Sequence, residues 1–193
     1  MTIRVDQNRV IFTGENPFIR LGQEEVGELT TRTSLWRCVY SPAGPGHTLF
    51  MVSELTDGKA RIYSDNMALA RWLQENLQGY MYAPFGDRYI PLIEAVFGRS
   101  GDVRSFWTES VRSETDDVML TWYDFLAPFL INTVPGSRSP NPNGLYTLLF
   151  PATAERLVLN GEQAAGRPLA ESRDGKSMST SCLAFAETWL AKP

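Results

Sequence analysis

The sequence predicts a mainly β protein: a meandering antiparallel sheet rolled into a barrel or folded as a sandwich, with one main helix. Three observations carry this prediction. Roughly ten short runs rich in Val, Ile, Phe, Trp, Tyr and Thr recur along the chain. Tight-turn signals separate them, among them Asp57-Gly58, Asn160-Gly161 and Asp174-Gly175. Only residues 65–77 show sustained helical apolar spacing. A barrel is favoured over a sandwich because closure removes the exposed edges of so long a meander. The 193 residues fit one barrel-like domain, 1–193.

In chain order, a short strand over 9–13 leads to a turn at 14–17. Residues 29–40 (LTTRTSLWRCVY) then form a long strand, and the Pro/Gly-rich turn SPAGPGH returns the chain to a strand over 48–55. With Asp57-Gly58 as a two-residue turn into 59–63, Glu54 faces Arg61. That opposed pair marks the solvent face and leaves Leu49, Met51, Leu55, Ala60 and Ile62 inward. The helix over 65–77 is capped by Ser64 or Asp65, carries Leu69, Leu73 and Leu77 on one stripe, and stops at Gly79. The aromatic segment YMYAPFGD over 80–87 reads as a pocket lid or as packing against that helix. Residues 89–97 form an edge or bulged strand because of Pro91, followed by a turn over 99–102.

The densest aromatic stretch is a hairpin of residues 103–113 and 118–127 around Glu114, Thr115, Asp116 and Asp117. A symmetric turn sets Ser113 opposite Val118, Val111 opposite Leu120, Glu109 opposite Trp122 and Trp107 opposite Asp124. These side chains share one face, and Phe106, Tyr123 and Phe125 share the other. Beyond it come a long loop over 135–144, strands over 145–150 and 154–159 read as parts of one bent by Pro151, the Asn160-Gly161 turn, and a last segment over 181–190. In that segment the alternation of Leu183, Phe185, Glu187 and Trp189 favours a strand, while its alanines suit a helix.

In outline this meander resembles the calycin type of barrel. The Gly-x-Trp that lipocalins carry on their first strand is absent, since the first Trp stands in Ser34-Leu35-Trp36. The resemblance is architectural and implies no ligand, activity or residue.

Composition removes several function classes. A net charge of -4 with scattered basic residues argues against nucleic acid or an anionic membrane as partner. The amino terminus, with Arg4 and Asp6, holds no apolar stretch of signal or membrane length, which makes a cytoplasmic location the expectation. Two distant cysteines, Cys38 and Cys182, suit buried free thiols rather than a zinc motif or redox pair. The single histidine, His47, sits in a turn and reads as an exposed loop residue. Clustered His metal sites are impossible with it alone, and no phosphate loop, dinucleotide fingerprint or nucleophile elbow appears. No metal or cofactor is therefore expected.

Three functions fit what is left. The first is binding of a small, largely apolar or aromatic molecule in the barrel interior, lined by Trp36, Tyr40, Trp107 and Trp122. The second is a cofactor-independent lyase, hydratase or isomerase. Its acid/base pair is Asp124 and Glu109, diagonal neighbours roughly 5 to 8 Å apart, one holding a proton near neutral pH because like charges repel beside apolar walls. Arg37 or Tyr123 would stabilise developing charge. The third is a protein-interaction module or homodimeric scaffold whose aromatic faces are covered by another chain. The competing reading of Glu109 and Asp124 is a solvated outer face.

Overall fold

The computed structural model describes residues 7–23, 28–137 and 142–192. Arg4 and Asp6, and residues 138–141 of the long loop, lie outside them. Along the chain come β1 (Val10–Glu15), β2 (Arg20–Gly22), β3 (Leu29–Tyr40), β4 (Gly46–Val52) and β5 (Arg61–Ser64), then the helix. After it follow β6 (Leu92–Glu94), β7 (Val96–Asp102), β8 (Phe106–Arg112), β9 (Asp117–Phe125), β10 (Phe129–Thr133) and β11 (Gly144–Leu159). The chain continues through β12 (Glu162–Gln163) and the hairpin of β13 (Ala170–Arg173) and β14 (Lys176–Ser179) to β15 (Cys182–Leu190).

The fold is mainly β: ten strands in one strongly curled half-barrel sheet, with one 15-residue helix. They run in the order β6-β5-β4-β3-β1-β15-β11-β9-β8-β7, antiparallel except where β5 meets β6. The two ends of this order are carried by nearly consecutive residues. β6 ends at Glu94, β7 begins at Val96, and Ala95 between them donates its N–H to the Ser64 carbonyl at 3.0 Å. Side chains from opposite ends of the sheet therefore meet across its concave side. Tyr63 of β5 donates to Asp116 beyond β8 at 2.8 Å, and the His47 ring of β4 stacks on Phe97 of β7 at 5.2 Å.

The central strand β3 is apolar on both faces, as a strand covered on both sides must be. Leu35 joins the concave cluster with Leu49, Val111, Leu120 and Trp122, while Trp36 joins the convex one with Phe12, Phe50 and the helix leucines. Pro151 sits inside β11 at the point where its neighbour changes, from β10 up to Leu149 to β9 from Ala152. A residue without an N–H is tolerated at such a break in the ladder. The Asn160-Gly161 turn has both residues at positive φ, 52° and 87°, as a primed turn requires. The last segment is a strand.

Several local expectations are corrected. The helix begins at Met67, because Asn66 Oδ1 accepts from Leu69 N at 3.1 Å while Asp65 is held by His47. It runs on as a π turn, Gln74–Gln78, and a last helical turn, Gly79–Met81. Gly79 is in ordinary helical geometry there. Its missing side chain lets Gly86 pack close, since a Cβ would stand 3.2 Å from the Gly86 Cα. Residues 98–102 belong to β7, and the turn falls at Val103–Ser105.

The β4–β5 connection is not a two-residue hairpin. Ser53 caps a 3-10 turn, Glu54–Thr56, in a reciprocal capping box, and the chain re-enters the sheet with Met51 opposite Arg61. Ala60 and Ile62 consequently pack on the convex cluster, opposite to Leu49 and Met51. Glu54 is taken up by structure, accepting from Ala165 N, Thr31 and Ser53.

The central hairpin pairs Arg112 with Asp117, Val111 with Val118, Glu109 with Leu120 and Trp107 with Trp122. The loop is Ser113–Asp116, closed by Ser113 Oγ accepting from Asp116 N at 2.9 Å. Moving the loop by one residue moves the register by two, so the faces survive. Trp107, Glu109, Val111, Leu120 and Trp122 turn to the concave side.

Candidate functional site

A cavity of about 290 Å³ lies on the convex side of the sheet, between the carboxyl end of the helix and strands β2, β3, β10, β11, β13, β14 and β15. That size is at the lower end of small-molecule sites, roughly 300–1,000 Å³. One apolar wall consists of Met81, Phe85, Leu145 and Trp189, another of Phe18, Ile131, Leu149 and Met178. The aromatic segment after the helix supplies part of the rim. Its Tyr82 ring meets Phe85 edge-on at 5.1 Å.

Three features give this cavity its chemistry. Arg20 of β2 and Arg32 of β3 both line it, and they stand directly opposite one another in the strand register. Each guanidinium lies over an aromatic ring, Arg20 over Phe18 at 4.8 Å and Arg32 over Tyr82 at 4.6 Å. Burial, and after it the charge of Arg32, lowers the pKa of Arg20.

Glu187 of β15 is the third feature. It is 5% exposed, and burial pushes its carboxyl up to about 8, opposed by hydrogen bonds from Trp189 and Thr147. Trp189 Nε1 donates to its Oε1 at 2.7 Å. The carboxyl is thus held protonated near neutral pH, with a hydroxyl to offer.

Glu187 reaches this side through a bulge. Leu183 and Phe185 pack on the concave cluster, so simple alternation would send Glu187 the same way. Ala186 takes a left-handed backbone, φ 50°, and the register against β11 shifts between Tyr146 and Leu148. The extra residue inverts the alternation, and Glu187 and Trp189 join Ala184 on the convex side.

On the concave side, Glu109 is completely buried. Arg37 donates to its Oε2 from Nε at 3.0 Å and Nη2 at 2.5 Å, Trp107 Nε1 donates to its Oε1 at 2.9 Å, and Arg99 Nε lies 3.3 Å from that oxygen. Arg99 also pairs with Glu15 and covers the Trp107 ring at 4.7 Å. Arg37 Nη1 donates to His47 Nε2 at 2.9 Å, which leaves the His47 Nδ1 proton to Asp65 at 2.5 Å. His47 is accordingly a half-buried member of β4, not a free loop residue. The chain Asp65–His47–Arg37–Glu109–Arg99–Glu15 ties β3 and β4 to β7 and β8.

The sequence-predicted residues separate into three groups. Arg37, Glu109 and Trp107 come together in that network. Trp122 and Trp36 are fully buried core indoles on opposite faces, with Trp122 Nε1 donating to the Phe18 carbonyl and Trp36 Nε1 to Gln78 Oε1. Gln78 lines the cavity, so Trp36 stands directly behind its wall. Tyr40 is exposed at the end of β3, and Tyr123 is half-buried opposite Ala154 and Phe106. Asp124 is exposed with a left-handed backbone, φ 50°. It is not the diagonal neighbour of Glu109, because the two-residue register change pairs Glu109 with Leu120. Arg20, Arg32 and Glu187 were not legible as a set: β2 carries no strand signal of its own, and the bulge at Ala186 leaves no sequence mark.

Comparison with protein-family models, with characterised proteins and with solved structures finds no match for this chain. Its chemistry is therefore read from its own residues.

Proposed function

We propose that the protein binds a small, largely apolar molecule in the cavity between the helix and the convex face of the sheet. The observation that carries this reading is the cavity itself, apolar on two walls and with convergent polar groups in a third. The concave side supports it less, because Leu35, Leu49, Val111, Leu120, Trp122 and their neighbours fill it as packed core. Carboxylate acid/base catalysis is the second reading. It is favoured by Glu187, a protonated carboxyl in the cavity wall, in place of the separated Asp124 and Glu109.

Fluorescence enhancement of the neutral dye N-phenyl-1-naphthylamine tests the binding reading. Saturable one-site uptake is expected. Ala184→Leu, which extends a buried wall residue into the cavity, should weaken uptake at least about tenfold while circular dichroism is retained, in line with the loss of a preformed pocket. Uptake that does not saturate, or that Ala184→Leu leaves unchanged, overturns the reading.

A further inference from the structure

We infer that the ligand of this cavity is an amphipathic organic carboxylate, its anionic head held between Arg20 and Arg32 and its apolar part against the cavity walls. The inference rests on the binding reading above and adds the chemical class.

The pairing of two cations across β2 and β3 costs stability. Arg20 and Arg32 are direct cross-strand partners, and like charges in that position repel. Neither guanidinium makes an ion pair or a hydrogen bond among the described residues; each lies over an aromatic ring instead. Glu171 is near enough for its charge to favour the Arg20 cation, yet it forms no ion pair with it. Asn16 and Ser34, which also face the cavity, are spent on each other through reciprocal bonds of 3.0 and 3.2 Å. Two guanidiniums thus look into one partly dry space with their donors unspent. An anion placed between them removes the repulsion and gains charge-assisted hydrogen bonds in a forked geometry that suits a carboxylate.

The rest of the cavity limits what the anion is attached to. Met81, Phe85, Ile131, Leu149 and Trp189 offer hydrocarbon and ring surface to a tail, which a bare inorganic ion would leave unfilled. Glu187 does not cancel the field of the arginines while it keeps its proton, and its hydroxyl is a donor. Arg173 also lines the cavity, and its charge disfavours the Arg20 cation as that of Arg32 does.

Displacement of bound N-phenyl-1-naphthylamine separates this inference from the reading beneath it. Octanoate is expected to displace the dye from the wild type at no more than about one-tenth the concentration of 1-octanol or methyl octanoate, as one charge-assisted contact provides. In the Arg20→Gln/Arg32→Gln double variant that advantage, read against the variant's own dye affinity, should collapse to within about twofold. Arg32→Gln alone should lose most of the advantage and, with one of two repelling charges gone, unfold at or above the wild-type temperature without ligand. Octyl phosphate serves as the competing head group and should be weaker than octanoate. The inference is overturned if octanoate and its methyl ester compete equally on the wild type, if the advantage survives in both variants, or if octyl phosphate is preferred. Failure of the wild type to take up the dye at all overturns the binding reading instead.

Discussion

Replacing Glu187 by Gln is expected to remove a large part of the loss of stability between about pH 4 and pH 8. The folded protein holds this carboxyl at a pKa of about 8, whereas the unfolded chain releases the proton near the ordinary value of roughly 4.3. A folded pKa raised above the unfolded one means that the native state binds more protons across this window. The contribution is fully present below about pH 4, declines as pH rises, and is lost above about pH 8. The full swing is on the order of 5 kcal/mol. Gln keeps the shape and can still accept from Trp189 Nε1, but carries no charge at any pH. Urea melts of both proteins at several pH values provide the check. The variant should gain steadily on the wild type from pH 5 to about pH 8 and level off above it. Glu155, pushed up to about 7 by burial, tilts the wild type in the same direction, so the difference between the two proteins is the quantity to compare. A difference that stays constant with pH would mean that Glu187 is not held protonated.

Arg37→Met is expected to cost about 3–5 kcal/mol, the usual penalty for leaving a buried charge without its main partner. Glu109 is fully buried, and Arg37 gives it its two closest charged contacts. Arg99 remains at 3.3 Å but is shared with Glu15, and Trp107 supplies only a neutral donor. The same substitution takes the bond from His47 Nε2 and one tie between β3 and the Gly98 carbonyl of β7. Adding Glu109→Gln should recover much of the loss, since the uncompensated charge goes with it, and a double-mutant cycle in denaturant measures that coupling. A loss below about 1 kcal/mol for Arg37→Met would place this pair with ordinary surface bridges and remove it as a clasp of the curled sheet.

How far the sequence reaches is visible in these two sites. Glu109, Trp107 and Arg37 could be singled out because strand alternation is insensitive to an even register change. Misplacing the hairpin loop by one residue moved the partners but not the faces. The same tolerance failed at β4–β5, where the Ser53 capping box consumed residues that a Gly-containing turn signal had assigned to a hairpin, and Ile62 changed faces. Glu187 is the sharper case. The pattern Leu183, Phe185, Glu187, Trp189 identifies a strand, but one left-handed residue at Ala186 divides it between two faces. Alanine is not a residue that announces such a conformation. The Arg20–Arg32 pair depends on β2, three residues long, finding β3 across intervening sequence. The two are consecutive antiparallel strands, but three residues are too few to show an alternation that would mark the pairing.

The most direct test is a crystal structure of the protein with octanoate. Density is expected in the convex cavity, with carboxylate oxygens within hydrogen-bond distance of both Arg20 and Arg32 and the chain directed toward the apolar walls. Octanoate bound on the concave side, or in the cavity with its carboxylate turned away from both arginines, would contradict that expectation.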